Sequence, residues 1–354
     1  MSATAFCEPT STARIKTHMN ITAIIHHPEC GLLRLCTGGA EEGWTCGVSD
    51  DLAREILGAY EPLLLGEAVW ERERLWRQCR DAGRDAGLPP ASWGHVDVAL
   101  WDLFARAQRL PLFRAIGGFR NRIPAYRRGT VDLTLAAVLR EATVARDAGY
   151  LGYSLRMGAA EDVIAALLAL RPTVGDDFRL MYDGAGELEP EQALAVGRAL
   201  EDIDGHWFAE PLRNGDVTGL QKLADALDVP VVAGAFIEGS IVAGTQALTT
   251  RAVDRLRATI PTTGGITDAL KLARGAESLG MNCEIDWDRS AGPHAAAHLL
   301  GAIRNAELYA AEGTSEAAMG FAPLHVSEGE LLLPPEPGLG LCLNDPSFLD
   351  EYRT

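Results

Sequence analysis

Hydrophobic and polar residues alternate along residues 13 to 47 in the way that is typical of β-strands. The alternating segments read RIKTHMNITAIIHH, GLLRLCTGG and GWTCGV, and Gly31, Gly38 and Gly39 mark turns between them. From residue 50 to 118 the pattern changes, and apolar residues recur at every third or fourth position. This spacing places them on one face of a helix. We therefore predict a small unit of strands followed by helices.

After Pro124 a second pattern repeats, in which a short apolar segment precedes a segment of 12 to 18 residues with helical periodicity. The apolar segments, which we predict to be strands, read IPAYRRG, GYSLRMG, FRLMYDG, HWFAEPL, VPVVAGA, DRLRATIP and MNCEID. Strands that alternate with helices favour a parallel sheet, and seven repeats in about 200 residues fit a closed β/α barrel better than an open sheet. The strand-like tail ELLLPPEPGLGLCLNDPSFLDEY is predicted to return to the first unit.

Charge and cysteine content narrow the class of protein. The 354 residues carry a net charge of −17, which disfavours a nucleic-acid or anionic-membrane partner because both require a basic surface. The seven cysteines form no CxxC pair, so we expect reduced thiols and a cytoplasmic protein. The first residues lack the apolar core of a signal peptide, and no run of about 18 apolar residues predicts a membrane span.

Candidate site residues follow from the barrel prediction, because barrel enzymes place their chemistry at the carboxyl-terminal ends of the strands. The residues at those ends are Arg127, Arg128, Ser154, Arg156, Asp183, Ala209, Glu210, Ala235, Glu238, Thr259 and Asp286. Several of them are cationic, which suits a small anionic substrate in an otherwise acidic protein.

A series of motifs runs along most of the chain. The segment DVALWDLFARAQRLPLFRAIGGFRNRIPAYRRG (Asp97–Gly129) is followed in order by LRMG, LMYDG, WFAEPL, VPVVAG, TTGGITDALKLA and PPEPGLG. This order resembles that of the enolase superfamily, in its mandelate racemase/muconate lactonizing branch, where the first segment is similar to the junction between capping domain and barrel. The resemblance extends from about residue 18 to the tail. It implies an α/β fold: a (β/α)7β TIM-like barrel over residues 119–319, with an α+β capping domain over residues 1–118 that the tail, about 320–354, completes.

The resemblance also implies a chemistry, the removal of a proton next to a carboxylate. In the family, Mg²⁺ held by three acidic residues stabilises the enediolate. Asp183 matches the first of these ligands, whereas the second and third fall on Ala209 and Ala235; positions 183, 209 and 235 are spaced by 26 residues each. Glu210 is one residue away from the second position, and a strand directs it to the opposite face.

The family's base positions are replaced as well. Arg156 stands where a K-x-K motif would have its lysine, and an arginine remains protonated near neutral pH. Thr259 matches the aspartate of the alternative His–Asp dyad, and Asp286 lies near the matching histidine position. We therefore expect a divergent member that lacks most catalytic residues and requires no cofactor, with Mg²⁺ bound only if Glu210 and Glu238 replace the missing ligands.

These residues have candidate roles, and three functions remain open. The catalytic candidates are Arg156, Asp183, Asp286 and Glu238; the substrate-binding candidates are Arg127, Arg128, Ser154 and His26; the metal candidates are Asp183, Glu210 and Glu238. Arg156 is predicted either to clamp a substrate carboxylate or to pair with Asp183. The first function is an enzyme that moves a proton on a small carboxylate or polar anion in a rearranged, metal-poor site. The others are a Mg²⁺-dependent racemase or dehydratase of hydroxy or sugar acids, and a non-catalytic homologue that binds a ligand or partners an active subunit. We also expect a homo-oligomer.

Overall fold

The computed structural model describes residues 19–131, 133–213, 216–288, 292–312 and 321–343. Its amino-terminal unit contains an antiparallel sheet and three long helices. The strands β1 (Ile21–His27), β2 (Leu32–Thr37) and β3 (Glu42–Thr45) pair in chain order, and the helices are α1 (Asp50–Leu64), α2 (Arg72–Asp85) and α3 (Pro90–Ala107). The predicted order of strands followed by helices is confirmed.

Local sequence explains where these helices begin. The Ser49 side chain accepts the N–H of Leu52, and Asp50 and Asp51 lie in the first turn of α1, where acidic side chains favour the helix dipole. Pro90 occupies the first turn of α3, a position at which a helix tolerates proline. Helix α3 is buried on nearly all sides because it packs against the antiparallel sheet and against the second unit.

The short helix α4 (Leu112–Ala115) leads into the second unit, in which eight parallel strands alternate with seven helices over the described residues. The strands are β4 (Arg122–Arg128), β5 (Gly152–Leu155), β6 (Arg179–Asp183), β7 (Trp207–Ala209), β8 (Val231–Ala233), β9 (Arg255–Ile260), β10 (Asn282–Trp287) and β11 (Tyr309–Ala311). The helices are α5 (Leu135–Asp147), α6 (Ala160–Val174), α7 (Pro190–Asp202), α8 (Val217–Ala226), α9 (Ile241–Thr250), α10 (Ile266–Ser278) and α11 (Pro293–Ala302). Each strand from β4 to β9 pairs with the next one along the chain, and β11 pairs in parallel with β4, so the (β/α)7β prediction is confirmed.

The inward-facing side chains of the barrel form layers. At the amino-terminal end, Arg255 contacts Glu284 at 3.0 Å and Glu307 at 2.8 Å. Above this charged layer lies a buried cluster that includes Tyr126 and Trp207. A second layer of charged side chains lies at the carboxyl-terminal ends of the strands. These strand ends form the mouth of the barrel.

The carboxyl-terminal tail contacts both units. Strands β12 (Val326–Ser327) and β13 (Glu330–Leu332) form a hairpin, and β13 pairs antiparallel with β4 of the barrel. Farther along, the N–H of Leu339 donates to Asp102 Oδ1 on α3 at 2.6 Å. The division into residues 1–118 with the tail and residues 119–319 stays a prediction. No helix in the described ranges is both long and apolar enough to cross a membrane.

Candidate active site

The strand register brings the predicted site residues to one end of the barrel. Asp183, the last residue of β6, lies beside Ala209 at the end of β7, so the two family ligand positions are neighbours as the sequence spacing predicted. On the other side of the barrel, Asp286 of β10 lies beside Thr259 of β9.

Arg257 lies at the centre of this charged layer. It is on β9, two residues before Thr259, so the pleat directs both side chains to the barrel interior. Its Nη1 lies 3.0 Å from Asp183 Oδ2 and 3.6 Å from Asp286 Oδ2, and its side chain is 7% exposed. Arg257 is not among the site residues predicted from the sequence. The segment RLRATI could have revealed it, because two arginines at alternate positions of a barrel strand lie on the same face of that strand.

A second arginine, Arg128, extends the layer, and its side chain is 11% exposed. It donates to Asp286 and, at 2.9 Å, to Glu312, which follows β11. Burial alone would raise the pKa of Asp286, but Arg128 and Arg257 hold that pKa below its ordinary value. Burial opposes charge on the two arginines as well, yet the neighbouring acids raise the pKa of both above the ordinary range. Each charged group in this layer therefore has neighbours of opposite charge, which buried ions require to offset the loss of water.

The predicted pair between Asp183 and Arg156 is wrong, because Asp183 pairs with Arg257 instead. Arg156 follows the end of β5, and its guanidinium approaches Glu312 only at 3.9 Å. Its side chain is 31% exposed. Arg156 and Asp183 nevertheless line the same cavity of about 220 Å³, together with Met157 and Glu187. The structure thus places one loosely paired guanidinium beside one carboxylate at an opening large enough for a small anion.

The side chain of Glu210 does not have the predicted orientation. Strand alternation predicted that it faces the helices, but β7 ends at Ala209 and Glu210 has a positive φ of 40°. Its carboxylate accepts the N–H of Gly234 at 2.9 Å and, more weakly, that of Ala235 at 3.5 Å. Burial raises the pKa of Glu210 to about 7, although the positive charge of Arg257 lowers it. The negative charge of Asp183 also raises this pKa. A second carboxylate therefore lies near Asp183.

Glu238 lies in a different cavity, of about 640 Å³, at the ends of β8 and β9. It is exposed and has a positive φ of 43°. The cavity is also lined by Arg84 and Trp93 from the amino-terminal unit and by Thr259.

Three substrate-binding candidates are not brought to the network. Arg127 points away from the barrel interior to Glu141 on α5, at 3.3 Å, so of the two adjacent arginines only Arg128 joins the charged layer. Ser154 is buried within β5. His26 Nε2 lies 2.9 Å from the carbonyl oxygen of Val48 within the amino-terminal unit.

The comparisons with known proteins decide the family. A family model described as "Enolase C-terminal domain-like" matches residues 137–347, which is more than half of the chain. The chain belongs to the enolase superfamily. The resemblance stated from the sequence motifs is confirmed at this level.

Individual members of the superfamily match over nearly the whole chain. Arabinonate dehydratase of Saccharolobus solfataricus is 28% identical over 89% of this chain and 87% of its own length. The structure of D-glucarate dehydratase from Agrobacterium tumefaciens complexed with magnesium has a TM-score of 0.83 and 26% identity, and covers 94% of this chain and 99% of that one. L-Talarate dehydratase from Polaromonas, complexed with Mg and L-glucarate, has a TM-score of 0.79 and 26% identity, and covers 92% and 94% of the two chains.

The expectation that this protein requires no cofactor is wrong. Similar superfamily structures contain magnesium, so Mg²⁺ is the expected cofactor. The expectation rested on Ala209 and Ala235 at two ligand positions, and it allowed Mg²⁺ only if Glu210 and Glu238 replaced the missing ligands. The side chains as arranged do not form a complete Mg²⁺ site, since within the described ranges no group of three or more His, Cys, Asp or Glu residues could hold a metal.

Proposed function

We propose that this protein is an enzyme that binds a small hydroxy or sugar acid at the carboxyl-terminal mouth of its barrel and moves a proton next to the acid's carboxylate. Racemases, epimerases and dehydratases of this superfamily share that step. The names of the relatives, which include dehydratases and epimerases, support an acid of this size and polarity.

The observation that carries the proposal is the position of Arg156. Its guanidinium lines the 220 Å³ cavity and has only a 3.9 Å contact with Glu312, so its planar N–H groups are available to an incoming carboxylate. Arg128 and Arg257, by contrast, are engaged at shorter distances by the half-buried acids Glu312 and Asp183. Arg156 is therefore the arginine of the mouth best placed to bind substrate.

Asp183 is the proposed proton carrier. It lines the same cavity as Arg156, so a carboxylate held by Arg156 brings its α-carbon towards Asp183. Arg257 and the N–H of Ala185, at 3.0 Å each, hold the Asp183 oxygens in place. Asp286 is enclosed by Arg128 and Arg257, and its proposed role is to position these two arginines. In enzymes of this chemistry, Mg²⁺ supplies positive charge at the oxygen of the enediolate.

The site is proposed to be a rearranged version of the family's site. Ala209, Ala235 and Thr259 stand at positions where the family resemblance places two metal ligands and a dyad acid. Arg257 and Glu210 bring charge to the mouth from other positions. The proton transfer therefore uses different side chains from those that the resemblance implies.

The same replacements favour a second candidate function, a homologue that binds a small acid without transforming it. Neither alanine can bind a metal or move a proton, and Arg156 cannot serve as a base. In this case the anion site around Arg156 persists while the chemistry is absent.

The test of the proposed function measures binding before turnover. Wild-type protein, Arg156→Lys and Arg156→Gln are titrated by calorimetry with a panel of five- and six-carbon aldonic and aldaric acids in millimolar Mg²⁺. For each acid that binds wild type, Arg156→Lys should weaken binding by about 1–3 kcal/mol because the lysine loses the two-point contact. Arg156→Gln should weaken it further.

Arg179→Lys is the matched control. Arg179 begins β6 at the opposite end of the same barrel and pairs with Glu307 at 3.4 Å, so this variant should bind as wild type does. Unchanged affinity in both Arg156 variants would remove Arg156 from the site and contradict the proposal. Affinity that depends on Arg156 without any reaction of the bound acid would favour the binding-only homologue.

A further inference from the structure

The cavity of about 640 Å³ lies between the amino-terminal unit and the barrel, apart from the cavity that contains Arg156. One of its walls is the turn between α2 and α3, and the other is formed by the segments that follow β8 and β9. Its volume is in the range that is typical of small-molecule sites. The chemistry proposed for Arg156 and Asp183 leaves this cavity without a role.

The two walls are in direct contact at Gly239, in the loop that follows β8. A Cβ atom at this position would lie 2.6 Å from Trp93 Cζ2 and 2.9 Å from Pro90 Cβ, so the glycine allows the barrel loop to pack closely on α3. In the opposite wall, the N–H of Leu88 donates to the carbonyl oxygen of Gly83 at 2.8 Å and closes the turn after α2. The cavity is therefore formed in advance, and a ligand does not have to order its walls.

Two groups of opposite charge line the cavity, one from each unit. Among the described residues at its surface, only Arg84, in the last turn of α2, and Glu238, in the loop after β8, are charged. Both are exposed, and neither has an ion-pair partner within the described part of the chain. A guanidinium group favours a carboxylate, and a carboxylate favours an ammonium group. A ligand that carries both groups suits both walls, whereas a diacid or a diamine meets a charge of its own sign.

The rest of the lining divides into an apolar side and a polar side. Leu88, Pro90 and Trp93 provide carbon surface from the amino-terminal unit. Thr259 and Thr262 provide hydroxyl groups from the end of β9 and the segment after it, and a threonine oxygen can accept a hydrogen bond from an ammonium group. An apolar group on the ligand therefore has a surface on which to pack beside the two charges.

We propose that this cavity binds a zwitterionic α-amino acid with a large apolar side chain. Its carboxylate pairs with Arg84, its ammonium group pairs with Glu238, and its side chain packs on Leu88 and Pro90. The bound amino acid links the amino-terminal unit to the barrel beside the mouth. The inference does not depend on the acid that is proposed to bind at Arg156 or on its turnover.

The test is calorimetric titration of the full chain with L-phenylalanine and with two analogues that each lack one charge. 3-Phenylpropanoate has no ammonium group and phenethylamine has no carboxylate, so each should bind about fivefold or more weakly than L-phenylalanine, the scale of one exposed ion pair. Arg84→Gln and Glu238→Gln should each weaken the binding of L-phenylalanine by a similar factor. Both residues are exposed, so both variants should fold as wild type does.

Arg77→Gln is the matched control. Arg77 lies on the same helix as Arg84, is exposed and approaches Asp81 at 3.6 Å, so this variant should bind L-phenylalanine as wild type does. Arg156→Gln should also leave this Kd unchanged, which separates the inference from the function proposed for the other cavity. The inference is overturned if L-phenylalanine does not bind, or if wild type, Arg84→Gln and Glu238→Gln bind it equally. Binding of either analogue as tightly as L-phenylalanine would also overturn it, because the two charges would then not select the ligand.

Discussion

Asp286 lies between Arg128 and Arg257, and this position makes it the main negative group of the inner network. Asp286→Asn would remove the acid that the two guanidinium groups share, leaving Arg128 with Glu312 and Arg257 with Asp183. Removal of one member of a buried ion pair costs about 3 kcal/mol or more, because the remaining charge stays desolvated. We expect a loss of that size in the free energy of unfolding measured in urea.

The control for this variant is Glu330→Gln. Glu330 pairs with Arg122 at 3.4 Å where both side chains are exposed, so its loss should change stability by about 0.5 kcal/mol or less. The free energy of unfolding of Asp286→Asn could instead lie within about 1 kcal/mol of the wild-type value, which is the range of an exposed ion pair. That result would show that water reaches the two arginines and that the network is not a closed structural unit.

The sequence predicted part of this network. The equal spacing of positions 183, 209 and 235, with the resemblance, placed Asp183 next to Ala209, and the register confirms that they are neighbours. The sequence did not predict that Arg257 is the partner of Asp183. Arg257 lies on a strand that is not adjacent to that of Asp183, and its long side chain reaches across the barrel. Glu210 was assigned to the wrong face because its positive φ ends the strand's alternation one residue early.

At the scale of elements, helices α3 and α10 pack together and bury a pair of carboxyl groups. Asp97 of α3 accepts the N–H and the hydroxyl of Thr267 on α10, at 2.7 and 2.6 Å. Asp268 beside it is fully buried. Burial raises the pKa of Asp97 to about 7, and burial together with the nearby Asp97 raises that of Asp268 to about 8. Arg72, Glu73, Arg80 and Lys271 are the other charged groups that act on the pair.

The raised pKa values predict how stability depends on pH. In the unfolded chain an aspartate has a pKa of about 4. Between about pH 4 and 8 the folded protein therefore holds more protons than the unfolded one, and the pair makes stability fall as pH rises. Asp268→Asn mimics the protonated form, so it should raise the melting temperature at pH 8 and change it little at pH 4.5.

Asp85→Asn provides the control, because Asp85 is exposed at the end of α2. Its effect on the melting temperature should be the same at both pH values. If Asp268→Asn also shifts the melting temperature equally at pH 4.5 and 8, then Asp268 does not carry an extra proton in the folded protein, and the predicted pH dependence is wrong.

Most of the elements could be predicted from the sequence because apolar periodicity reports which face of an element is buried. The seven apolar segments after Pro124 correspond to β4–β10, and β11 completes the barrel. The tail was predicted to be strand-like and to return to the first unit. Its pairing with β4 of the barrel could not be read from periodicity, which does not identify the partner of an edge strand.

The whole molecule combines a superfamily scaffold with a barrel mouth that we propose to be rearranged. The barrel, the amino-terminal unit and the comparisons agree on the enolase superfamily. The mouth is proposed to use Arg156, Asp183 and Arg257 where the resemblance implies a lysine base and further metal ligands. Three arginines, Arg128, Arg156 and Arg257, stand against three acids, Asp183, Asp286 and Glu312, so the anion site proposed here depends on Arg156, whose contact with an acid is the longest.

The central claim is that this rearranged mouth still moves a proton on a bound acid. The direct measurement is ¹H NMR of the aldonic and aldaric acids that bind, incubated with the protein and Mg²⁺ in D₂O. We predict that the signal of the C–H next to a carboxylate decays for at least one acid, through exchange or conversion, and that Asp183→Asn abolishes the decay while Arg179→Lys does not. Signals that persist unchanged for every acid that binds would contradict the claim and leave the protein a binding homologue.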